Sequence, residues 1–461
     1  MLLAEAPHVV SQQRPATGTQ RHRLLFPGWP LWAALVLYPL WWALGLGAFE
    51  FILAAIPMTI TLLHRRPIRL PAGIRVWAVF LIWNLLSLVM LPAHAPDTTA
   101  GSISGRSISL LLRLIQLGTA TIFLLYVVNL SPEELPQRRL VKWMAWLFVV
   151  TVGGGLLALA APHFSYNAPF EHLLPHSFRS NQYVKSLVHP QAAQVQDVLG
   201  FQAPRPAAPW GYTNLWGNNL SILLVWFCAY LWEPATMRNR ARLAAFLLIA
   251  IVPIVYSLNR GLWFGLVLSL AFVIMRLARS GDARATMVAI ATVGVGAVLF
   301  LLTPLNHVVQ QRANHGASNG IRSNVDHASL KGALESPLIG WGGSRKVIGS
   351  SQSIAIGPSP KCPTCGAVNL GSTGEIWLVM FDQGLVGAFL YIGFFAVAWW
   401  RLRADRSLIG SAARLIAILS VFYTFFYNNL PTSLMLSMLS IGIACRNLQV
   451  WPARDPAGEL A

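Results

Sequence analysis

Twelve apolar runs, most of them near the length needed to cross a hydrocarbon core of roughly 30 Å, constrain this chain more than any other feature. They fall at about 30–47, 48–63, 76–93, 108–130, 142–161, 214–232, 243–258, 261–277, 286–304, 375–399, 412–428 and 431–446. With 55% hydrophobic and only 11% charged residues over 461 positions, the chain is too apolar for a water-soluble protein of its length. The expected fold is all-α and polytopic, with about twelve transmembrane helices and the lipid bilayer as solvent. The runs at 48–63, 243–258 and 431–446 are short, so a re-entrant element in place of a pair of spans is the alternative count.

Orientation follows from the arginines, because short cytoplasmic loops retain Lys and Arg. In a twelve-span arrangement the clusters His64–Arg69, Gln137–Lys142, Arg238–Arg242, Arg276–Arg284 and Arg401–Arg406 all lie on one side, with both termini. The division expected is a cytoplasmic tail over 1–28, a membrane domain over 29–447 and a cytoplasmic tail over 448–461. Residues 1–25 carry Arg14, Arg21 and Arg23 but no small-residue cleavage site behind a short apolar core, so they do not read as a removable signal peptide. A net charge of +18 divided among membrane loops reflects topology and argues against a nucleic-acid partner. No glycine-rich phosphate loop supports ATP-driven transport.

Two long segments, about 162–213 and 305–374, then fall on the non-cytoplasmic face, where loops of such length are usually functional or disordered. Both are mixed in composition, with aromatic residues, glycines and charges of both signs. The second contains Cys362-Pro-Thr-Cys365, which reads as a loop disulfide rather than a zinc knuckle, since no second closely spaced ligand pair accompanies it. No metal site and no cofactor is expected.

Arg260 sits in Ser257-Leu-Asn-Arg-Gly-Leu-Trp263, between two apolar runs. A guanidinium at the lip of a bilayer suits a lipid-linked phosphate; its other reading is snorkelling to the interface. Arg322 lies fifteen positions before Pro337-Leu-Ile-Gly-Trp-Gly342, and Trp377–Gly387 ends in Phe381-Asp-Gln-Gly-Leu-Val-Gly387. Ahead of these comes Arg205-Pro-Ala-Ala-Pro-Trp-Gly-Tyr-Thr-Asn214. In order, spacing and side of the membrane, these motifs resemble the O-antigen ligase and O-antigen polymerase superfamily of integral membrane glycosyltransferases, over about residues 205–390.

The resemblance implies a metal-independent transfer at the outer face of a bacterial plasma membrane. A hydroxyl of a glycan or lipid acceptor attacks the anomeric carbon of a sugar carried on a polyprenyl diphosphate such as undecaprenyl diphosphate. It implies that Arg260 and Arg322 hold the diphosphate, and the chemistry agrees, since a departing diphosphate needs fixed cations and Arg offers a rigid donor fork. Arg205 and Arg113 are further candidates to bind substrate, Arg113 because a cation inside a span is costly without a partner. Tyr212, Asn214 and Trp216 stand at the outer end of a span, where aromatic faces and amides suit sugars as well as a membrane interface.

One departure from the family concerns the base: Thr373, itself a candidate to bind substrate, stands where the resemblance implies a histidine. Three residues offer replacements, and the alternative is that no strong base is needed, because diphosphate is a good leaving group. Glu375 is two positions on; Ser372-Thr-Gly-Glu375 also reads as a capping box with Ser372 as the N-cap. Asp382 is seven residues further and reads first as the structural partner of an arginine. His327 lies on an expected helix over 324–335. Gly371–Gly374, leading into a helix N-terminus, suits an anion or a plain turn. A transporter of lipid-linked glycan, or a non-catalytic homologue of the enzyme, is the competing reading. Two similar halves, common in secondary transporters, are missing. Envelope-assembly partners have room in either reading.

Overall fold

The computed structural model describes residues 26–98, 103–179, 182–233, 236–314, 317–348 and 367–449. Cys362 and Cys365, with the disulfide expected of them, lie outside the described residues, as do most of both tails. All twelve apolar runs fall on helix. Seven helices are long and apolar enough to cross a membrane: Ser109–Val128, Gln137–Ala160, Thr213–Trp232, Met237–Tyr256, Arg260–Arg279, Ala283–Leu301 and Glu375–Ala404. Glu50–Leu63, Ile74–Met90 and Leu408–Thr424 are shorter apolar helices. The first run is not one span but two short helices, Trp29–Val36 and Tyr38–Ala43; Pro39 lacks the N–H that would continue the first into the second.

Thr432–Asn447 is the axis of the bundle. It is buried without a break from Thr432 to Arg446 and packs against Ile103–Val128, Leu408–Thr424 and Thr213–Trp232. A helix enclosed on all sides must also satisfy its hydroxyls there. Ser433 donates to Asn219 Oδ1 at 2.7 Å, Asn219 donates to Thr432 at 2.7 Å, Trp226 donates to Ser440 at 2.8 Å, and Ser420 donates to Ser437 at 2.8 Å. Polar contacts of this kind hold helices together where lipid competes equally for apolar faces.

The periphery is the reverse. Ala283–Leu301 has no buried residue, and Met237–Tyr256 and Arg260–Arg279 have few. Such faces need hydrocarbon, not water, around them. The Arg260–Arg279 helix is held by close approach: a Cβ on Gly261 would stand 2.3 Å from Tyr427 Oη, and one on Gly265 would stand 1.9 Å from Tyr423 Oη. Small residues four apart let a helix seat this tightly.

The loops sort to two ends. At one end Arg65 pairs with Glu134 at 2.6 Å, Arg69 reaches Gln449, Arg276 reaches Arg406 O, and Asn447 bonds Asp405. These are among the basic clusters that the charge pattern groups together. The opposite end carries the long segments. The described residues of 162–212 include three short helices and an antiparallel hairpin of β1 (Ala193–Asp197) and β2 (Gln202–Pro206), with Gln194 opposite Arg205. Among the described residues of 304–370 are helices Pro304–Asn314 and Ala317–Glu335 and a second strand pair, β3 (Lys346–Ile348) with β4 (Ala367–Asn369).

Candidate functional site

The turn before Arg260 is built by its neighbours. Leu258 has φ 52°, a left-handed conformation that a branched side chain adopts only under constraint. Two arginines supply that constraint from the loops. Arg205 donates to Ser257 O at 2.8 Å and to Gln196 Oε1 at 2.7 Å; Arg312 donates to Leu258 O at 3.2 Å and to Val198 O at 3.3 Å. Asn259 then caps the helix, accepting from Leu262 N at 3.4 Å, and Tyr427 donates its hydroxyl to Asn259 Oδ1. Arg260 is the first residue of the helix.

These groups open on a cavity of about 1350 Å³. Four arginines line it, Arg205, Arg260, Arg312 and Arg322, together with Asp326, His327, Thr373, Asn214 and an apolar wall of Phe264, Trp377, Phe422, Phe425 and Phe426. Burial, and then the charges of Arg260 and Arg322, bring Arg312 down to about 10. Burial, with Arg312 and Arg322 nearby, brings Arg205 down to about 10 as well. Both stay protonated at neutral pH, so the cavity holds several like charges whose repulsion an anion relieves.

Among the described residues, Asp326 is the one carboxylate on this wall. It lies one helical turn after Arg322 on Ala317–Glu335 and accepts a hydrogen bond from the Thr373 hydroxyl. Burial raises its pKa above the ordinary carboxylate value, against the opposing effects of Thr373 and Arg322.

Glu375 and Asp382 are placed elsewhere. Glu375 is fully buried, binds Arg113 Nη2 at 2.7 Å and accepts from Asn429 N at 3.1 Å; neither it nor Arg113 lines the cavity. The expected capping box is not formed. Gly374, not Ser372, is the N-cap, and the Glu375 amide donates to Tyr427 O at 2.9 Å. Close packing of Gly374 on Thr424 O, where a Cβ would stand at 2.5 Å, sets this start later than the sequence pattern suggests. The Glu375 amide is therefore taken up by the fold.

Asp382 is buried beside the charges of Arg113 and Arg345, and among the described residues it forms no ion pair with either within 4.0 Å. Its surroundings explain why the two glycine motifs occur together. Trp341 N donates to Phe381 O at 2.9 Å, Gly342 N to Asp382 O at 2.8 Å, and Leu385 N to Pro337 O at 2.7 Å. Gly384 breaks the helix with φ 72°, a value that favours glycine; a Cβ there would meet Leu338 O at 2.5 Å. Arg345, buried, ties this loop to Trp341, Leu91 and Ala93 through their carbonyls.

His327 lines the cavity from an exposed position. Trp216 does not reach it: fully buried, it donates to Thr151 O at 3.0 Å and belongs to the core. Tyr212 and Asn214 line a second cavity of about 450 Å³, with Trp42, Trp210, Gln116, His189 and Asn428. Asn214 borders both cavities, and Ser372 on the second adjoins Thr373 on the first.

Arg312 and Asp326 carry no motif, and only the folded segments bring them to Arg260 and Thr373. The sequence signal available for both was their place in the long segment 305–374. No group of three or more metal-ligating side chains occurs among the described residues.

Residues 244–362 match the family model described as O-Antigen ligase. No curated protein matches the chain. The matched segment includes the turn of Arg260, Arg312, Arg322, Asp326 and the Pro337–Gly342 motif, while Arg205, Thr373 and the aromatic wall beyond Phe264 lie outside it, so this membrane protein is similar, over residues 244–362, to the O-antigen ligase and polymerase superfamily.

Proposed function

We propose that this chain is a metal-independent membrane glycosyltransferase that moves a glycan from a polyprenyl diphosphate to an acceptor hydroxyl at the outer face of a bacterial plasma membrane. The observation that carries it is the convergence of Arg205, Arg260, Arg312 and Arg322 on one large cavity with an apolar flank. A diphosphate on a polyprenyl tail needs those two surroundings side by side. Arg260 and Arg322 contact the diphosphate and stabilise the charge that grows as it leaves. Arg205 and Arg312 hold the Ser257–Leu258 turn and add to the field. The phenylalanine wall takes the first isoprene units. The second cavity, lined by Trp42, Trp210, Tyr212, Asn214 and Gln116, takes the neutral sugars of the acceptor by stacking and hydrogen bonding.

The test is turnover of a fluorescent undecaprenyl-diphosphate oligosaccharide by purified protein in nanodiscs, with host envelope lipids added as acceptor. Longer glycans on the carrier mean a polymerase, and labelled acceptor means a ligase. Movement of the donor across the bilayer with no new glycosidic bond would replace this reading with that of a transporter.

A further inference from the structure

We propose that Asp326 is the proton acceptor of the transfer, taking the place that the resemblance assigns to a histidine at Thr373. The inference rests on the glycosyltransferase reading above and adds the base, which that reading leaves open.

The three replacements that lie close in sequence or motif fit the cavity poorly or without support. Glu375 is engaged by Arg113 and the Asn429 amide away from the cavity wall. Asp382 is buried behind the Trp341–Gly342 loop. His327 is exposed and, among the described residues, bonds neither Thr373 nor the arginines. Asp326 alone joins three conditions: it lines the cavity, it is bonded to Thr373, and it lies a helical turn from Arg322. A hydrogen bond thus transfers the basic function from residue 373 to the facing helix.

The Thr373 hydroxyl occupies Oδ1, which leaves Oδ2 to accept from an incoming hydroxyl. The other charged and titratable groups facing Asp326 are Arg322 and His327 on its own helix, and Arg260, Arg312 and Arg205 around the cavity. The cations keep Asp326 from losing its ionised form altogether, while its partial burial makes the carboxylate a better base than one in water.

In the step, the acceptor oxygen forms a bond to the anomeric carbon as the bond from that carbon to the diphosphate oxygen breaks. The bonding pair leaves with the diphosphate and is stabilised by Arg260 and Arg322. The acceptor's proton passes to Oδ2 of Asp326 and then to water. No oxidant, reductant or metal enters the balance. Thr373 acts as a positioning residue that fixes the rotamer of Asp326.

The experiment measures single-turnover transfer from the fluorescent undecaprenyl-diphosphate oligosaccharide, and donor binding to the same samples, for wild type, Asp326→Asn, Asp326→Glu, Thr373→Val and Arg260→Ala. Loss of a general base lowers rates by about 100- to 10000-fold, and that is the result expected for Asp326→Asn, with donor affinity close to that of wild type. Asp326→Glu recovers part of the rate, and Thr373→Val loses a smaller part of it than Asp326→Asn. The wild-type rate falls as pH drops through the ionisation of Asp326, and this limb is absent from the residual rate of Asp326→Asn. A near wild-type rate in Asp326→Asn overturns the proposal while leaving the glycosyltransferase reading intact. Equal loss of rate and donor binding in that variant also overturns it, by assigning Asp326 to the scaffold. A wild type inert towards the donor removes the transferase reading and this role together.

Discussion

Arg260 shows what a single side chain reveals and what it conceals. Its type and its place between two apolar runs are enough to point to a lipid-linked phosphate. The two arginines that secure its turn are a different matter. Arg205 lies in the proline-rich motif 205–214 but reads equally as exposed, and Arg312 has no motif; their bonds to Ser257 O and Leu258 O exist only in the folded chain. In the proposed transfer Arg260 contacts the leaving diphosphate, so Arg260→Ala lowers the transfer rate by about 100- to 1000-fold in a protein that remains folded; parallel rate and melting measurements check both. Arg205→Lys keeps the charge but loses the fork that spans Ser257 O and Gln196. It therefore weakens donor binding and raises the hydrogen exchange of the 257–262 amides, read by mass spectrometry.

At the scale of elements, the helix beginning at Glu375 and the one beginning at Arg260 illustrate two ways of being held. The first carries a buried ion pair. Neutralising Glu375 leaves the Arg113 guanidinium buried and unpaired, a change that typically costs about 3–5 kcal/mol. Glu375→Gln is therefore expected to lower the melting temperature strongly, and Arg113→Met with Glu375→Gln to recover much of the loss, by scanning fluorimetry in detergent. The second is held by glycines. Gly265→Ala places a methyl against Tyr423, an overpacking of about 1–3 kcal/mol, whereas Gly294→Ala meets nothing within 4 Å and leaves stability unaltered. The sequence pattern Ser372–Glu375 was misleading for a reason at this scale. A capping box assumes that a helix start is governed locally, but here Tyr427 O and Thr424 from elsewhere in the chain set the boundary.

For the whole molecule, the contacts at the end remote from the cavity bring together loops that the arginine distribution had already grouped. Arg65 with Glu134, Arg276 with Arg406 and Asn447 with Asp405 belong to that end. If the cavity faces outwards, single cysteines at Tyr212 and Ser372 in a background without native cysteines react with an impermeant maleimide in intact spheroplasts. Cysteines at His64 and Arg238 react only after permeabilisation. The opposite pattern would invert the topology and move the donor to the cytoplasmic face.

Helical class, the membrane as solvent and the family resemblance were determined by the sequence alone, because apolar length, arginine asymmetry and short motifs are local properties of the chain. Tertiary structure decided that the first apolar run is two short helices, that Thr432–Asn447 is the enclosed axis, and that Pro337–Gly342 docks on the break at Gly384. It also decided the composition of the cavity. Asp326 and Thr373 are 47 positions apart, and nothing along the chain links them; only the packing of the Ala317–Glu335 helix on the Glu375–Arg401 helix brings the Asp326 carboxylate to the Thr373 hydroxyl.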